Sequence, residues 1–181
     1  MSLWDTIAEE AAAESTLWKA ALRPRSQRET EPVFSPLGEA RFALATESIY
    51  EGYLLHYGRP RLFSPADADT AVLLGDYLYA HGLVRLTAHG DVGAVADLAE
   101  LISLCTQLRA EDGMREAGGA LDGLAWAATV ALLGASDARL EQARAALRLE
   151  RDVAGLEALA IAAAGAEAVE RALATHRARV E

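Results

Sequence analysis

Apolar positions recur at helical spacing over most of this chain, and the polar interruptions between them divide it into segments. Residues 3–22 set Leu3, Ile7, Leu17, Trp18 and Leu22 along one side and predict a first helix. Residues 23–36 are polar, proline-bounded and aperiodic, which predicts a linker or surface loop. Ser35-Pro36 and Ser64-Pro65 then each provide a helix start. A capping hydroxyl precedes a proline whose missing N–H is harmless in the first turn. Asp67 follows the second start, where a carboxylate favours a helix N-terminus. Two helices are predicted, about 36–58 and 65–88, both apolar around most of their circumference, as interior helices are. After Gly90-Asp91, the spacing of Val95, Leu98, Leu101, Ile102, Cys105 and Leu108 predicts another helix towards Arg115. Gly118-Gly119 interrupts that pattern. A helix over about 120–133 ends at Gly134, and Ser136 is placed to cap one running to about Val153. The alanine-rich stretch from Gly155 is amphipathic, loosens near Gly165, and closes in the basic run 175–179, where cations oppose the helix dipole. No strand or hairpin pattern competes, so the prediction is one all-α domain over residues 1–181.

Composition narrows the class of function. A chain of 181 residues is long enough to bury a real core. No apolar run reaches the roughly 18 residues of a membrane span. Met-Ser-Leu-Trp-Asp lacks the basic start of a secretory signal. Cys105 is the single cysteine and sits among leucines, which predicts a buried small hydrophobe in a reducing cytoplasm. The net charge is −10, Lys19 is the one lysine, and the arginines are dispersed, so nucleic acid is not an expected partner. The same scarcity leaves few cations to grip a diphosphate directly.

The most informative text is Glu47-Ser-Ile-Tyr-Glu-Gly-Tyr-Leu-Leu-His-Tyr-Gly58. It resembles the helix of trans-polyprenyl diphosphate synthases that reads E-L-I-H-x-x-S-L-I-H-D-D. Glu47, Ile49, Leu54 and His56 stand in register, Tyr50 takes the place of the first histidine, and Tyr57 and Gly58 fall where two metal-binding aspartates would stand. Ala71-Val-Leu-Leu-Gly-Asp-Tyr-Leu-Tyr-Ala80 resembles the family's A-V-L-L-G-D-x-L-x-A. Between the two, Gly58-Arg59-Pro60-Arg61 stands where the family has a basic Arg-Gly-x-Pro loop. Leu101–Gln107 matches the position of its glutamine-bearing helix, and Leu121–Leu133 with Gly134-Ala135-Ser136 resembles the small-residue helix and loop that follow. The resemblance spans about residues 40–135. It implies a truncated isoprenoid-synthase-like bundle in which the Gly-Asp helix and its successor, about 65–115, form a dimer interface. Leu22-Arg23-Pro24 is a fainter echo of an early substrate-binding motif.

The departures carry as much meaning. The family's reaction ionises an allylic diphosphate, and two carboxylate clusters hold the magnesium ions that neutralise the leaving group. Here no Asp-Asp pair occurs, and Asp152 stands alone near the second cluster. No catalytic residue, metal ligand or cofactor is therefore assigned. A vestigial ligand pocket would be formed by Tyr50, Tyr53, His56, Tyr57, Asp76, Tyr79 and Gln107. Core filling competes with that role: Tyr50, Tyr53, Tyr57, Tyr77 and Tyr79 would form an aromatic cluster between neighbouring helices, and His56 would be a core or helix-end histidine. Asp76, in an almost wholly apolar helix, is expected to be buried and paired with an Arg or Tyr. His81 and His89 are expected at the surface or at helix ends. Read with the resemblance, these features describe a non-catalytic partner subunit of a heteromeric polyprenyl diphosphate synthase, similar to the component-one chains of bacterial heptaprenyl diphosphate synthases. It would pair with a catalytic chain, with itself, or both. A stand-alone binding protein for an apolar, prenyl-like ligand and a ligand-free structural homodimer are the alternatives.

Overall fold

The computed structural model describes residues 2–88, 90–112 and 121–180. Within them lie α1 (Leu3–Glu14), α2 (Thr16–Ala21), α3 (Ala43–Tyr57), α4 (Ala68–Thr87), α5 (Val92–Asp112), α6 (Leu121–Ala131), α7 (Ala138–Glu150), α8 (Ala154–Ala164) and α9 (Ala166–Val180). The fold is all-α. Among the described residues the nearest thing to a sheet is one antiparallel bridge between Leu22 and Phe63. His89 and Gly118-Gly119 lie outside the described residues.

α3 is the axis. Every residue from Ala45 to Leu55 is buried, glutamates included. α4 runs antiparallel along it in the most extensive helix pair of the molecule. The close approach depends on glycines. A Cβ on Gly52 would lie 2.8 Å from the Gly75 carbonyl, one on Gly75 would lie 2.5 Å from His56 Nε2, and one on Gly82 would lie 2.4 Å from Ile49. α5, α6, α8 and α9 complete the main core around Phe34, Phe42, Tyr50, Tyr53, Trp126 and the leucines of α5. A second core lies under α1 and α2, where Trp4, Ile7 and Ala21 meet Leu55, Phe63, Leu74 and Leu78. Each fully buried Leu or Phe in these clusters contributes about 1.5–3 kcal/mol.

The element boundaries depart from the sequence expectation at the caps. The first helix is two, parted at Ser15, whose extended backbone ends α1 and whose hydroxyl accepts from Leu17 N–H to start α2. Ser35-Pro36 opens only a 3₁₀ turn. The chain then breaks at Gly38, which passes so near α6 that a Cβ would meet the Val130 carbonyl at 2.4 Å, and α3 begins at Ala43. Asp67, not Ser64, caps α4 by accepting from Thr70 N–H at 2.7 Å, and Asp137, not Ser136, caps α7. Ser136 instead takes a left-handed backbone at φ 51°. Gly165, at φ 85°, separates α8 from α9 as its spacing suggested.

Residues 24–32 are mostly exposed, as a surface loop is, but the stretch ends in the core. Val33, Phe34 and Ser35 are buried, and Phe34 stacks on Trp126 at 5.5 Å in the middle of the main core. α4 is not interior all round either: Leu74 and Leu78 are covered by the first two helices, while Leu73, Asp76, Ala80 and Val84 are exposed.

Candidate functional site

Two buried polar networks hang on α3. In the first, Glu47 and Glu51, one turn apart, share the guanidinium of Arg61. Its Nη1 donates to Glu47 at 2.6 Å and its Nε to Glu51 at 2.9 Å, with all three side chains fully buried. The remaining lone pairs accept backbone N–H groups: Val33 and Ser35 on Glu47, Arg61 and Leu62 on Glu51. Trp4 and Tyr50 cover the guanidinium faces. Two acids and one cation thus clamp the 31–35 and 58–62 segments onto α3. Neither glutamate points to a cavity. Two carboxylates at i and i+4 in an apolar helix, with an arginine soon after, were the legible signal for this clamp.

The second network lies a turn or two further along. Tyr53 OH donates to Asp122, which also receives Arg109 Nε at 2.8 Å, while Arg109 Nη2 donates to Tyr53 OH at 2.5 Å. His176 places Nδ1 2.9 Å from Tyr50 OH and Nε2 3.4 Å from the other Asp122 oxygen. Burial opposes ionisation of Asp122 most strongly. The His176 hydrogen bond and charge, with Arg109 and Tyr53, outweigh it and hold its pKa below the ordinary value. Burial likewise raises the Tyr50 and Tyr53 phenols, with Asp122 adding to the effect. An aspartate, a histidine and two tyrosines in contact resemble a proton relay, yet Tyr50, Tyr53, Asp122 and His176 are all sealed from solvent. This arrangement ties α9 and α6 to α3. Asp122 and His176 are 54 residues apart, and nothing in the sequence pairs them.

The expected ligand residues therefore divide. Tyr50 and Tyr53 belong to the sealed core and stack at 5.8 Å. His56, Tyr57 and Tyr79 form a half-buried aromatic shelf where α3 ends: His56 lies parallel to Tyr79 at 5.2 Å and beside Tyr57 at 5.5 Å. Asp76 borders that shelf, but its side chain is 64% exposed, which corrects the expectation of burial. The helix turns its Gly75 side to α3 and its Asp76 side outward. The nearest basic group to Asp76 is His56 Nε2 at 3.2 Å, in place of the expected Arg or Tyr, within ion-pair distance but not aligned as a hydrogen bond. Gln107 stands apart, bonded to Glu111 and Arg148 towards α7. Tyr77 packs on Trp18 and His81. Cys105 is buried, as expected. A groove of about 210 Å³ between residues 31–37 and α9 is lined by none of the expected ligand residues.

Where α3 stops, α9 closes the chain end. Arg59 N–H and Nη2 donate to the Arg179 and Ala178 carbonyls at 2.9 and 2.6 Å, and a Cβ on Gly58 would meet the Arg179 carbonyl at 2.8 Å. Asp152 is exposed and accepts from Ala154 N–H at the start of α8.

The outer face of α4 and α5 is the unusual surface. Leu73, Ala80 and Val84 on α4 are exposed, and so are Val92, Ala96, Ala99, Ser103, Thr106 and Ala110 on α5, with Val95 and Ile102 half-buried at its edge. Positions 92, 96, 99, 103, 106 and 110 are three and four apart and form one stripe. Three charges of α5 are turned away from it: Glu100 pairs with Arg148, Asp97 with Arg144, and Arg109 with Asp122. On α4, beyond the first turn, Asp76 is the one charged group on the stripe. No helix among the described residues is long and apolar enough to cross a membrane. No family model, no curated protein and no solved structure matches this chain.

Proposed function

We propose that this chain is a non-catalytic subunit of a heteromeric trans-polyprenyl diphosphate synthase, docking its catalytic partner through the outer face of α4 and α5. The observation that carries the reading is that face: two adjacent helices present a stripe of Leu, Val, Ala, Ser and Thr, broken beyond the first turn of α4 only by Asp76, in a chain with a net charge of −10. Exposed apolar surface of this kind marks association sites. Small side chains suit helix-on-helix contact, because they let backbones approach closely.

The resemblance supplies the identity of the partner. It covers α3 and α4, an antiparallel pair packed through Gly52 and Gly75, and the stripe falls on the helices that the resemblance assigns to the dimer interface. The missing acids supply the rest. The positions of the first aspartate pair are Tyr57 and Gly58, and the carbonyl end of α9 fills that corner. Leaving-group charge has no carboxylate-held magnesium to stabilise it there. The chain therefore contributes surface and stability to an assembly whose chemistry belongs to the partner.

The test is an assay with an allylic diphosphate, isopentenyl diphosphate and magnesium. The purified chain alone is expected to give no product. Mixed with the aspartate-rich synthase chain of the same organism, it is expected to change that enzyme's rate or product length. Sustained turnover by the chain alone, or a synthase indifferent to its presence, would contradict the reading.

A further inference from the structure

Resting on the docking reading, we infer that the occupant of the α4–α5 face is a different chain that brings an arginine to Asp76, and that Asp76 keeps a second copy of this chain off the same face. Asp76 is 64% exposed and stands beside an apolar stripe that association would bury. A carboxylate taken out of water without a cation is strongly unfavourable. His56 does not fill that role as it stands. Its Nε2 is 3.2 Å away but unaligned, and its ring is fixed between Tyr57 and Tyr79.

What the site lacks defines what it takes. A planar cation would reach the exposed Asp76 carboxylate with two N–H donors while lying against the half-buried rings of His56, Tyr57 and Tyr79. Arginine has that shape and donor set, and lysine does not. Among the described residues of α4 and α5, a second copy offers the wrong chemistry. It would bring another Asp76, another Asp69 at the head of α4, and a further net charge of −10 to the same patch. Its own Arg85 is committed to Ser48 and Glu10 on the opposite side of α4, and its Arg109 to Tyr53 and Asp122. One carboxylate on an otherwise sticky stripe thus selects between partners, which is how interfaces gain specificity without added area.

The inference is tested on the chain by itself and then with the synthase chain. Sedimentation at micromolar concentration and physiological ionic strength should find the wild type monomeric. Asp76→Leu, a change at an exposed position, should dimerise, and adding Ala99→Glu should return that variant to monomer. A wild-type dimer that Ala99→Glu disrupts would overturn the inference, because a second copy would then be the occupant. An Asp76→Leu variant that stays monomeric would overturn it too. With the synthase chain, Asp76→Glu should retain binding and Asp76→Arg should weaken it by about tenfold or more, as expected for an interfacial charge pair made repulsive. Equal binding by both would remove the arginine. If no variant binds the synthase chain, the subunit reading fails, while the self-association result still decides what Asp76 excludes.

Discussion

Arg61 is the side chain on which most of the segment packing converges, since it neutralises two glutamates with no access to water. Replacing it with Met should destabilise the protein by about 3–5 kcal/mol, the loss expected when one partner of a buried charge network is removed. Arg61→Lys should recover part of this, because an ammonium cannot fork to both carboxylates. Urea denaturation measures the difference, and a loss below about 1 kcal/mol would place the network among dispensable surface pairs. Asp122 makes a pH-dependent prediction. Its folded pKa lies below the ordinary 3.8, so it binds fewer protons folded than unfolded. Its stabilisation is therefore present above about pH 3.8 and is lost as pH falls towards the folded pKa. Denaturation at a series of acid pH values should show a shallower decline for Asp122→Asn than for wild type, and parallel curves would contradict the assignment. Much of this scale was hidden in the sequence. Glu47 and His56 stood out as motif letters, but motif letters do not say which side of a helix faces out. Asp76 was expected inside because its neighbours are apolar, and those neighbours prove to serve two different surfaces.

At the scale of elements, helix type and order were legible because the apolar spacing is strong and no strand pattern competes. The starts were less so. A Ser-Pro pair is a good cap locally, yet Gly38 must pass against the Val130 carbonyl, and that tertiary contact delays α3 to Ala43. The polar stretch 23–36 read as a loop because its arginines and prolines outnumber Val33 and Phe34, the two residues that enter the core. The glycines of α3 and α4 carry the sharpest prediction here. Gly52→Ala would normally gain helix propensity of about 1 kcal/mol. Its Cβ would instead meet the Gly75 carbonyl at 2.8 Å, a backbone atom that cannot turn aside. Overpacking of this kind costs about 1–3 kcal/mol, so the melting temperature should fall. Gly93→Ala, whose nearest neighbours are 3.5 Å away at the start of α5, should leave it unchanged or raise it. Equal melting of both variants would mean that the α3–α4 crossing is looser than drawn.

For the whole molecule, the question is which surfaces are finished. α1 and α2 cover Leu74 and Leu78, and α9 ties back to α3 through His176, so those sides of the bundle are closed. The α4–α5 face is open: Asp97, Glu100 and Arg109 of α5 pair with α6 and α7, and Asp76 of α4 stays exposed on it. The sequence implied that residues 65–115 form an interface through the resemblance to prenyl synthases and through more apolar surface than so few helices can cover. Hydrophobic pattern alone had placed α4 inside, because it counts apolar positions without knowing how many neighbours exist to cover them. The proposal that this face receives a catalytic synthase chain is open to direct measurement. Its most direct measurement is light scattering on a size-exclusion column of this chain mixed with the aspartate-rich synthase chain of the same organism. Three forms should be compared: wild type, Ala99→Glu in the stripe, and Leu149→Glu at an exposed position on α7. A stable complex is expected for wild type and for Leu149→Glu and none for Ala99→Glu, with all three retaining the same melting temperature. A complex that survives Ala99→Glu, or a wild type that forms none, would contradict it.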